Sequence, residues 1–290
     1  EHPFSSIVIQ ESQPEYLVLE ISSYQLELVD QFRPKIAAVL NLSNDHLGRH
    51  STMENYTAVK ARILENQLHD DVAILNDDDP LVSAMAEAVQ SRVLRFGADE
   101  QADAYLKDDA FVIDGNVVAQ RSDSLLPGKH NTENILAALA VLSTFDIDSE
   151  RIRDGLSTFK GVEHRIEKVA DVDGVGYYND SKSTNLDSLK VALESFEGGI
   201  LLIAGGEGKG GDYSVLSELI KARVEHVIAI GADAELICTA WGRCAPSSVV
   251  KDMEAAVTKA HEIARPANTV LLSPACASFD SYANFEERGH

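Results

Sequence analysis

The sequence has few of the features that mark secreted or membrane-spanning proteins. Its 290 residues include only three cysteines, Cys238, Cys244 and Cys276, an odd number without metal-type clustering, which fits a reducing compartment. No apolar run approaches the roughly 20 residues that a membrane-spanning helix needs, and we see no signal peptide. We therefore expect a cytoplasmic protein that does not bind a membrane.

Basic residues are scarce as well. The chain has 25 Lys and Arg residues against 47 Asp and Glu residues, which gives a formal net charge of −22. A surface this negative repels nucleic acid and anionic lipid, so we expect neither as a partner. An anionic substrate would need local cations, supplied by Lys, Arg or a metal ion.

A Walker phosphate-binding motif is also absent. The glycine-rich segment 205–212 reads GGEGKGGD, but Gly210 follows Lys209 where the motif requires Ser or Thr. No other segment of the sequence satisfies the pattern.

Short apolar segments predict an α/β protein with a sheet in each half of the chain. The first half indicates a mostly parallel sheet with a small antiparallel flank formed by the short strands of 92–119, whose last two are joined by a turn at 114–116. In the second half strands and helices alternate strictly, which is typical of a doubly wound, Rossmann-like parallel sheet. We place the domain boundary near residue 160, giving domains 1–159 and 160–290. The predicted strands are 4–9, 16–21, 36–41, 72–76, 92–96, 104–106, 111–113, 117–119, 175–178, 200–204, 226–230, 248–250 and 269–272.

The stretch 161–185 is the most informative part of the sequence. Its strand ends in seven polar residues, NDSKSTN at 179–185, directly before a predicted helix. A helix cap needs only one such residue, whereas a strand end that meets a helix N-terminus is a common anion site. We therefore interpret this run as a binding site. We also expect Asp180–Thr184, Lys209 and Ser278 to converge on one edge of the sheet, because all three follow parallel strands.

Four other residues carry alternatives that the sequence leaves open. Glu20, at the end of predicted strand 16–21, is either a metal ligand or an edge carboxylate facing water. His46, beside Asp45, is either a metal ligand or an ordinary loop histidine. Lys60 lies in a helix predicted over 53–68 and gains no special status from its helical neighbours. Cys276 could be a nucleophile, but packing is favoured because the sequence places no His beside it.

Eight segments together resemble the Mur ligase family, in the family's order and over nearly the whole chain. The last segment is particular to the branch that adds D-glutamate. The segments are LEISSYQLE (19–27), NLSNDHLGRH (41–50), AVKARILEN (58–66), LPGKHNTEN (126–134), EHRIE (163–167), NDSKSTN (179–185), GGEGKGGD (205–212) and LLSPACASFDSYANFEERG (271–289).

The resemblance implies an ATP-dependent ligase of peptidoglycan synthesis. ATP would phosphorylate the alanyl carboxylate of UDP-N-acetylmuramoyl-L-alanine, and the amine of D-glutamate would attack the resulting acyl phosphate. Residues 1–159 would then be part of the central ATPase-type domain, and 160–290 a C-terminal domain that binds amino acid and nucleotide. We expect a monomer whose cofactors are ATP and two Mg²⁺ ions.

The family's functional residues can be matched to positions in this sequence. By resemblance, Glu20 and His46 hold magnesium, and a carbamylated Lys60 helps to hold a second ion; Lys60, His46 and Lys209 are the expected catalytic residues. Ser22 and Gln25 match contacts to the muramoyl substrate. Asn134, Arg165 and Asp180 match nucleotide contacts. The expected D-glutamate pocket consists of Lys182, Thr184, Lys209, Ser278 and the backbone of Phe279.

The sequence also departs from the family pattern. The family's phosphate loop and its uridine-diphosphate-binding domain would precede Glu1, and the helix that closes the last domain would follow His290. We therefore expect a fragment with negligible ligase turnover on its own. Two alternatives are another Mur branch, with a different amino-acid substrate, and a non-catalytic module that binds nucleotide or amino acid.

Overall fold

The computed structural model describes residues 14–43 and 47–290, and the chain forms two compact units. One unit contains the described residues up to Val117 together with Asn134–Ile147, and the other contains Val118–Glu133 and Asp148–His290. Among the described helices, none combines the length and apolar character required to cross a bilayer. The predicted boundary near residue 160 remains a prediction, and the predicted strand 4–9 lies outside the described residues.

The first sheet has six strands in the order β1-β2-β3-β4-β5-β6. Neighbours from β1 to β4 pair in parallel, and β4 pairs with β5 antiparallel. This confirms the mostly parallel sheet with a small antiparallel flank, but the flank begins at β4, because β3 pairs in parallel with both of its neighbours. The strands are β1 Ile36–Val39, β2 Val72–Asn76, β3 Arg92–Gly97, β4 Ala104–Lys107, β5 Ala110–Ile113 and β6 Asn116–Gln120.

The second sheet has the order β11-β10-β9-β12-β8-β7. All its pairs are parallel except the β7–β8 hairpin. That hairpin turns at Asp173 and Gly174, whose φ values of +52° and +77° are the left-handed pair that suits a tight hairpin. The strands are β7 Glu167–Val172, β8 Val175–Asn179, β9 Ile200–Gly205, β10 Val224–Ile230, β11 Ser247–Val249 and β12 Thr269–Leu272.

Helices cover both faces of the second sheet. Within the described residues, the α-helices are α1 Ser23–Leu26, α2 Leu47–His50, α3 Met53–Ala61, α4 Pro80–Ser83, α5 Lys129–Leu142, α6 Ser149–Thr158, α7 Leu186–Glu194, α8 Ser217–Arg223, α9 Ala234–Trp241, α10 Met253–Ile263 and α11 Phe285–Gly289. Leu202 and Leu271 pack in one core with α7, α8 and α9. Leu201 and Val270 point to the opposite face and pack with α10. Because adjacent strand residues point to opposite faces, two cores confirm the doubly wound architecture.

Two sequence predictions in the first unit were wrong. Residues 14–22 form no strand, and the side chain of Val18 is 97% exposed. An apolar run becomes a strand only where a neighbouring strand pairs with it, and the described sheet ends at β1. The helix predicted over 53–68 ends at Ala61 and continues only as a 3₁₀ turn at Arg62–Leu64.

The carboxyl ends of three adjacent strands lie side by side in the second sheet. Leu272 of β12 is in register with both Asn179 of β8 and Ile203 of β9. The segments that follow these strands, 180–184, 206–212 and 273–280, therefore begin at the same edge. We call these three segments the carboxyl edge.

Candidate functional site

Asp180 is the buried acid of the carboxyl edge. Its side chain is 4% exposed, and its position is fixed by its neighbours. The Ser273 hydroxyl donates a hydrogen bond of 2.7 Å to Oδ2, and the Ile166 amide donates one of 3.2 Å to Oδ1. The Asp180 amide donates to the Leu272 carbonyl at 2.7 Å, which extends the β8–β12 pairing by one residue.

Burial raises the pKa of Asp180 to about 7. The hydrogen bonds from Ser273 and Ile166 and the charge of Arg165 act in the opposite direction, because they favour the carboxylate. A carboxyl group that titrates near neutrality at the end of a parallel strand is a candidate functional group.

Ser183 has a buried hydroxyl with no hydrogen-bond partner in the described part of the chain. It is 1% exposed and lies two residues before Asn185, which caps α7. Its proximity to Asp180 favours the charged carboxylate, but the geometry does not form a proper hydrogen bond. Buried hydroxyls are nearly always paired, so this one offers an unused polar group at the carboxyl edge.

Two segments of the carboxyl edge are joined by backbone hydrogen bonds. Glu207 and Ala277 exchange a pair of bonds of 2.9 Å each, which brings the segment of Lys209 beside that of Ser278. Lys209 is exposed, whereas Ser278 is 2% exposed. Gly206 permits this approach, because a Cβ at its position would lie 2.3 Å from the Ala277 carbonyl oxygen.

Tyr213 makes a polar contact with Cys276, which lies on one of these two segments. The Tyr213 hydroxyl donates to Asp233 Oδ2 at 2.8 Å and lies 3.0 Å from Cys276 Sγ. Cys276 is fully buried, and burial raises the pKa of its thiol. A buried thiol with a raised pKa is a poor nucleophile, so Cys276 acts in packing.

The remaining predicted residues of the second unit are solvent-accessible. Lys182 is exposed, and its ammonium lies 5.9 Å from the centre of the Phe285 ring. Thr184 is half-buried, Phe279 is 69% exposed and Arg165 is exposed. The ammonium groups of Lys182 and Lys209 are thus accessible to a ligand, whereas Asp180 and Ser278 are buried.

The sequence did not single out three polar residues of this site. Ser273 occupies the first position after β12, as Asp180 does after β8, so the strand-end pattern could have identified it. Ser183 lies inside the predicted polar run, but its burial could not be predicted. Arg288 is 4% exposed. No pattern distinguishes it from a solvated arginine.

In the first unit, Ser22 and Gln25 bond to each other. Ser22 caps α1, its hydroxyl accepts from the Gln25 amide at 3.3 Å, and its own amide donates to Gln25 Oε1 at 2.8 Å. Both residues are exposed. The capping box fixes their side chains in one orientation and leaves them open to solvent.

The predicted metal ligands are only partly described. Glu20 is exposed in a segment without regular structure, Lys60 is half-buried in the last turn of α3, and His46 lies outside the described residues. Within the described ranges, no group of three or more His, Cys, Asp or Glu residues could hold a metal ion. Glu20 offers the carboxylate oxygens that magnesium prefers, so its chemistry fits the predicted role. Asn134, predicted to contact nucleotide, is exposed on α5.

Comparison with known proteins identifies the family. The Mur ligase middle domain matches residues 3–142, and the glutamate ligase domain of Mur ligases matches residues 164–276. The chain belongs to the Mur ligase family. The two matches follow each other in the order in which the sequence predicts its two domains.

Curated relatives of this Mur ligase chain are named UDP-N-acetylmuramoylalanine–D-glutamate ligase. The protein of Acidobacterium capsulatum is 42% identical over 99% of this chain, and that of Clostridioides difficile is also 42% identical over 99%. The protein of Pelotomaculum thermopropionicum is 45% identical over 94%. The chain spans less than two thirds of the length of these relatives: 64%, 65% and 62% respectively.

Solved Mur ligase structures share the fold. A crystal structure of MurF from Acinetobacter baumannii superimposes with a TM-score of 0.67 at 19% identity, covering 87% of this chain and 59% of MurF. MurC from Thermotoga maritima gives a TM-score of 0.61 at 19% identity, covering 86% of this chain and 57% of MurC. These likenesses agree with the two mostly parallel sheets of the Mur ligase chain.

Proposed function

We propose that the chain is part of an ATP-dependent ligase that adds D-glutamate to UDP-N-acetylmuramoyl-L-alanine in peptidoglycan synthesis. The observation that carries this proposal is the carboxyl edge, where hydrogen bonds join the segment of Lys209 to that of Ser278, and the latter lies beside the run that contains Lys182. The names of the relatives, at more than 40% identity, support the choice of D-glutamate. We further propose that the ligase is a cytoplasmic monomer.

The proposed reaction has two steps. The carboxylate of the alanyl substrate takes the γ-phosphoryl group of ATP, which forms an acyl phosphate and releases ADP. The amine of D-glutamate then attacks the carbonyl carbon, the new C–N bond forms as phosphate leaves, and the amine loses a proton. Negative charge crowds both steps, so fixed cations supply transition-state stabilisation.

The carboxyl edge would bind D-glutamate through its two carboxylates. Lys182 and Lys209 are exposed cations, and each can neutralise one carboxylate in a protein of net charge −22. Thr184 and Ser278 would donate hydroxyl hydrogen bonds, and Phe279 would contribute its backbone. These contacts select an amino acid with a second acidic group over a neutral one.

The nucleotide would contact Asp180, Arg165 and Asn134. Asp180 is held by Ser273 and Ile166, so it is preorganised to accept hydrogen bonds from ribose hydroxyls when charged. The charge of Arg165 favours the ionised form of Asp180, and its exposed guanidinium would be accessible to a phosphate group of the nucleotide. In the first unit, the fixed and exposed side chains of Ser22 and Gln25 would contact the muramoyl substrate.

Glu20, His46 and a carbamylated Lys60 would hold two magnesium ions. Carbamylation converts the lysine amine into an anionic oxygen ligand, which suits magnesium better than an ammonium group does. Bound magnesium would neutralise phosphate charge and polarise the transferred phosphoryl group.

The test is amino-acid selectivity in the full-length gene product. With ATP and UDP-N-acetylmuramoyl-L-alanine, we expect phosphate release to depend on D-glutamate, with at least a 100-fold preference in kcat/KM over L-glutamate, L-alanine and diaminopimelate. Lys209→Ala should raise the KM for D-glutamate at least tenfold. The matched control Lys190→Ala, an exposed lysine on α7, should leave it within twofold.

Two results would overturn the proposal. Preference for a different amino acid would identify another Mur branch. Binding of nucleotide or amino acid without ATP-dependent phosphate release would instead identify a non-catalytic binding module.

A further inference from the structure

Arg288 makes an unusual set of contacts beneath the carboxyl edge. Its guanidinium donates from Nε to the Ser181 hydroxyl at 3.0 Å and from Nη2 to the Ser181 carbonyl at 2.8 Å. Its Nη1 donates to the carbonyls of Cys276 and Ala277 at 3.0 and 3.2 Å. One side chain of α11 thus joins the segment after β8 to the segment after β12.

The burial of this cation is not explained by an ion pair. Arg288 is 4% exposed, and no carboxylate in the described part of the chain lies within ion-pair distance of it. Buried arginines are rare and are normally paired with an acid. Here neutral oxygens accept all its hydrogen bonds, so its contacts fix backbone geometry rather than neutralise a carboxylate.

The two segments joined by Arg288 carry the proposed amino-acid pocket. Ser181 directly precedes Lys182, and Ala277 directly precedes Ser278. The third segment passes close to the same guanidinium at Gly206, where an added Cβ would lie 3.2 Å from Arg288 Nη1. A change at Arg288 would therefore alter the spacing of all three segments of the carboxyl edge.

We infer that Arg288 is a positioning residue for the acidic amino-acid substrate. Its planar fork holds 180–184 and 273–280 at the separation that the substrate's carboxylates require. This inference rests on the proposed function for the identity of the substrate. Lysine cannot replace arginine here, because its single ammonium lacks the fixed fork that reaches oxygens on two segments.

Asp180 is anchored independently of Arg288. Its carboxylate accepts from Ser273 and Ile166, and its amide bonds to Leu272. Loss of Arg288 should therefore loosen the amino-acid pocket more than the nucleotide contact. This difference separates positioning from general destabilisation.

The first experiment is amide hydrogen exchange on this chain, which does not depend on activity. In Arg288→Lys we expect at least tenfold faster exchange at residues 181–183 and 276–278, with β10 amides within twofold of wild type. Ser181→Ala, which removes one hydroxyl and retains the guanidinium, should show about a threefold effect at the same amides. Unchanged exchange there in both variants would overturn the inference.

The second experiment is steady-state kinetics on the full-length gene product. Arg288→Lys should raise the KM for D-glutamate at least tenfold, with the KM for ATP within threefold and kcat within fivefold. Arg223→Lys is the control, since Arg223 is a half-buried arginine of α8 that donates to the Glu197 carbonyl and lies outside the carboxyl edge. Both KM values should stay within twofold.

The two arms separate the possible failures. A D-glutamate KM within twofold of wild type in Arg288→Lys, or equal losses for D-glutamate and ATP, would contradict the positioning role. If the wild type shows no D-glutamate-dependent turnover, the proposed function fails, while the exchange experiment still tests what Arg288 does to the two segments.

Discussion

At Asp180, a carboxyl group is removed from water and retained by hydrogen bonds from Ser273 and Ile166. Burial raises its pKa to about 7 from an ordinary value of 3.8. In the unfolded chain the group ionises near pH 4, whereas in the folded chain it holds its proton until about pH 7. Between these values the folded state binds more protons, so the free energy of unfolding falls as pH rises.

Asp180→Asn should remove this pH dependence. One pKa unit corresponds to about 1.4 kcal/mol, so the upper bound on the effect is about 4 kcal/mol. We expect the wild type to lose roughly 2 to 4 kcal/mol of stability relative to the variant between pH 5 and pH 8. Urea unfolding at a series of pH values measures this difference.

The control for this prediction is Asp187→Asn, which changes an exposed aspartate in the first turn of α7. Its pH profile should run parallel to that of the wild type. Parallel profiles for wild type and Asp180→Asn would show that the buried carboxyl does not couple stability to pH in this range.

At the scale of elements, the site depends on how closely the segment after β9 approaches the segment after β12. Gly206 has a φ of +132°, and an added Cβ would lie 2.3 Å from the Ala277 carbonyl oxygen. Gly210 also has a positive φ, of +75°, but a Cβ there would meet nothing within 4 Å. Substituting each glycine by alanine therefore distinguishes two causes of lost stability: steric overlap between the segments, which only Gly206 would cause, and a positive φ, which both positions share.

Gly206→Ala should destabilise the chain far more than Gly210→Ala. We expect about 1 to 2 kcal/mol for Gly210→Ala, from left-handed backbone strain alone. For Gly206→Ala we expect more than about 3 kcal/mol, because backbone must move and the Glu207–Ala277 bonds must break. Urea unfolding of both variants tests this, and equal losses would show that the approach of the two segments is not tight.

Periodicity predicted the elements better than it predicted their contacts. The alternation of apolar strands and helices was sufficient to predict the βαβ series of the second half, because each of its apolar strand segments pairs with a neighbouring strand in the sheet. The run 16–21 had the same composition but no described partner, so it is not a strand. The sequence placed Asp180 at a strand end correctly, but the burial of Ser183 and Arg288 depends on tertiary packing that no local pattern records.

Across the whole molecule, the net charge of −22 opposes the binding of any acidic ligand. The exposed cations Lys182 and Lys209 therefore have to act locally, and they lie on the two segments of the carboxyl edge that flank 273–280. We therefore expect the affinity for an acidic amino acid to depend on these two lysine side chains. The rest of the surface, being acidic, contributes repulsion.

The most direct test of this account is an NMR titration of the chain with D-glutamate, followed by amide chemical shifts. We predict that the shifted amides cluster at 181–184, 207–210 and 277–279, and that Lys209→Ala weakens the response at least tenfold while Lys190→Ala does not. Shifts that cluster elsewhere in the chain, or none at millimolar D-glutamate, would contradict the claim that the carboxyl edge binds the acidic amino acid.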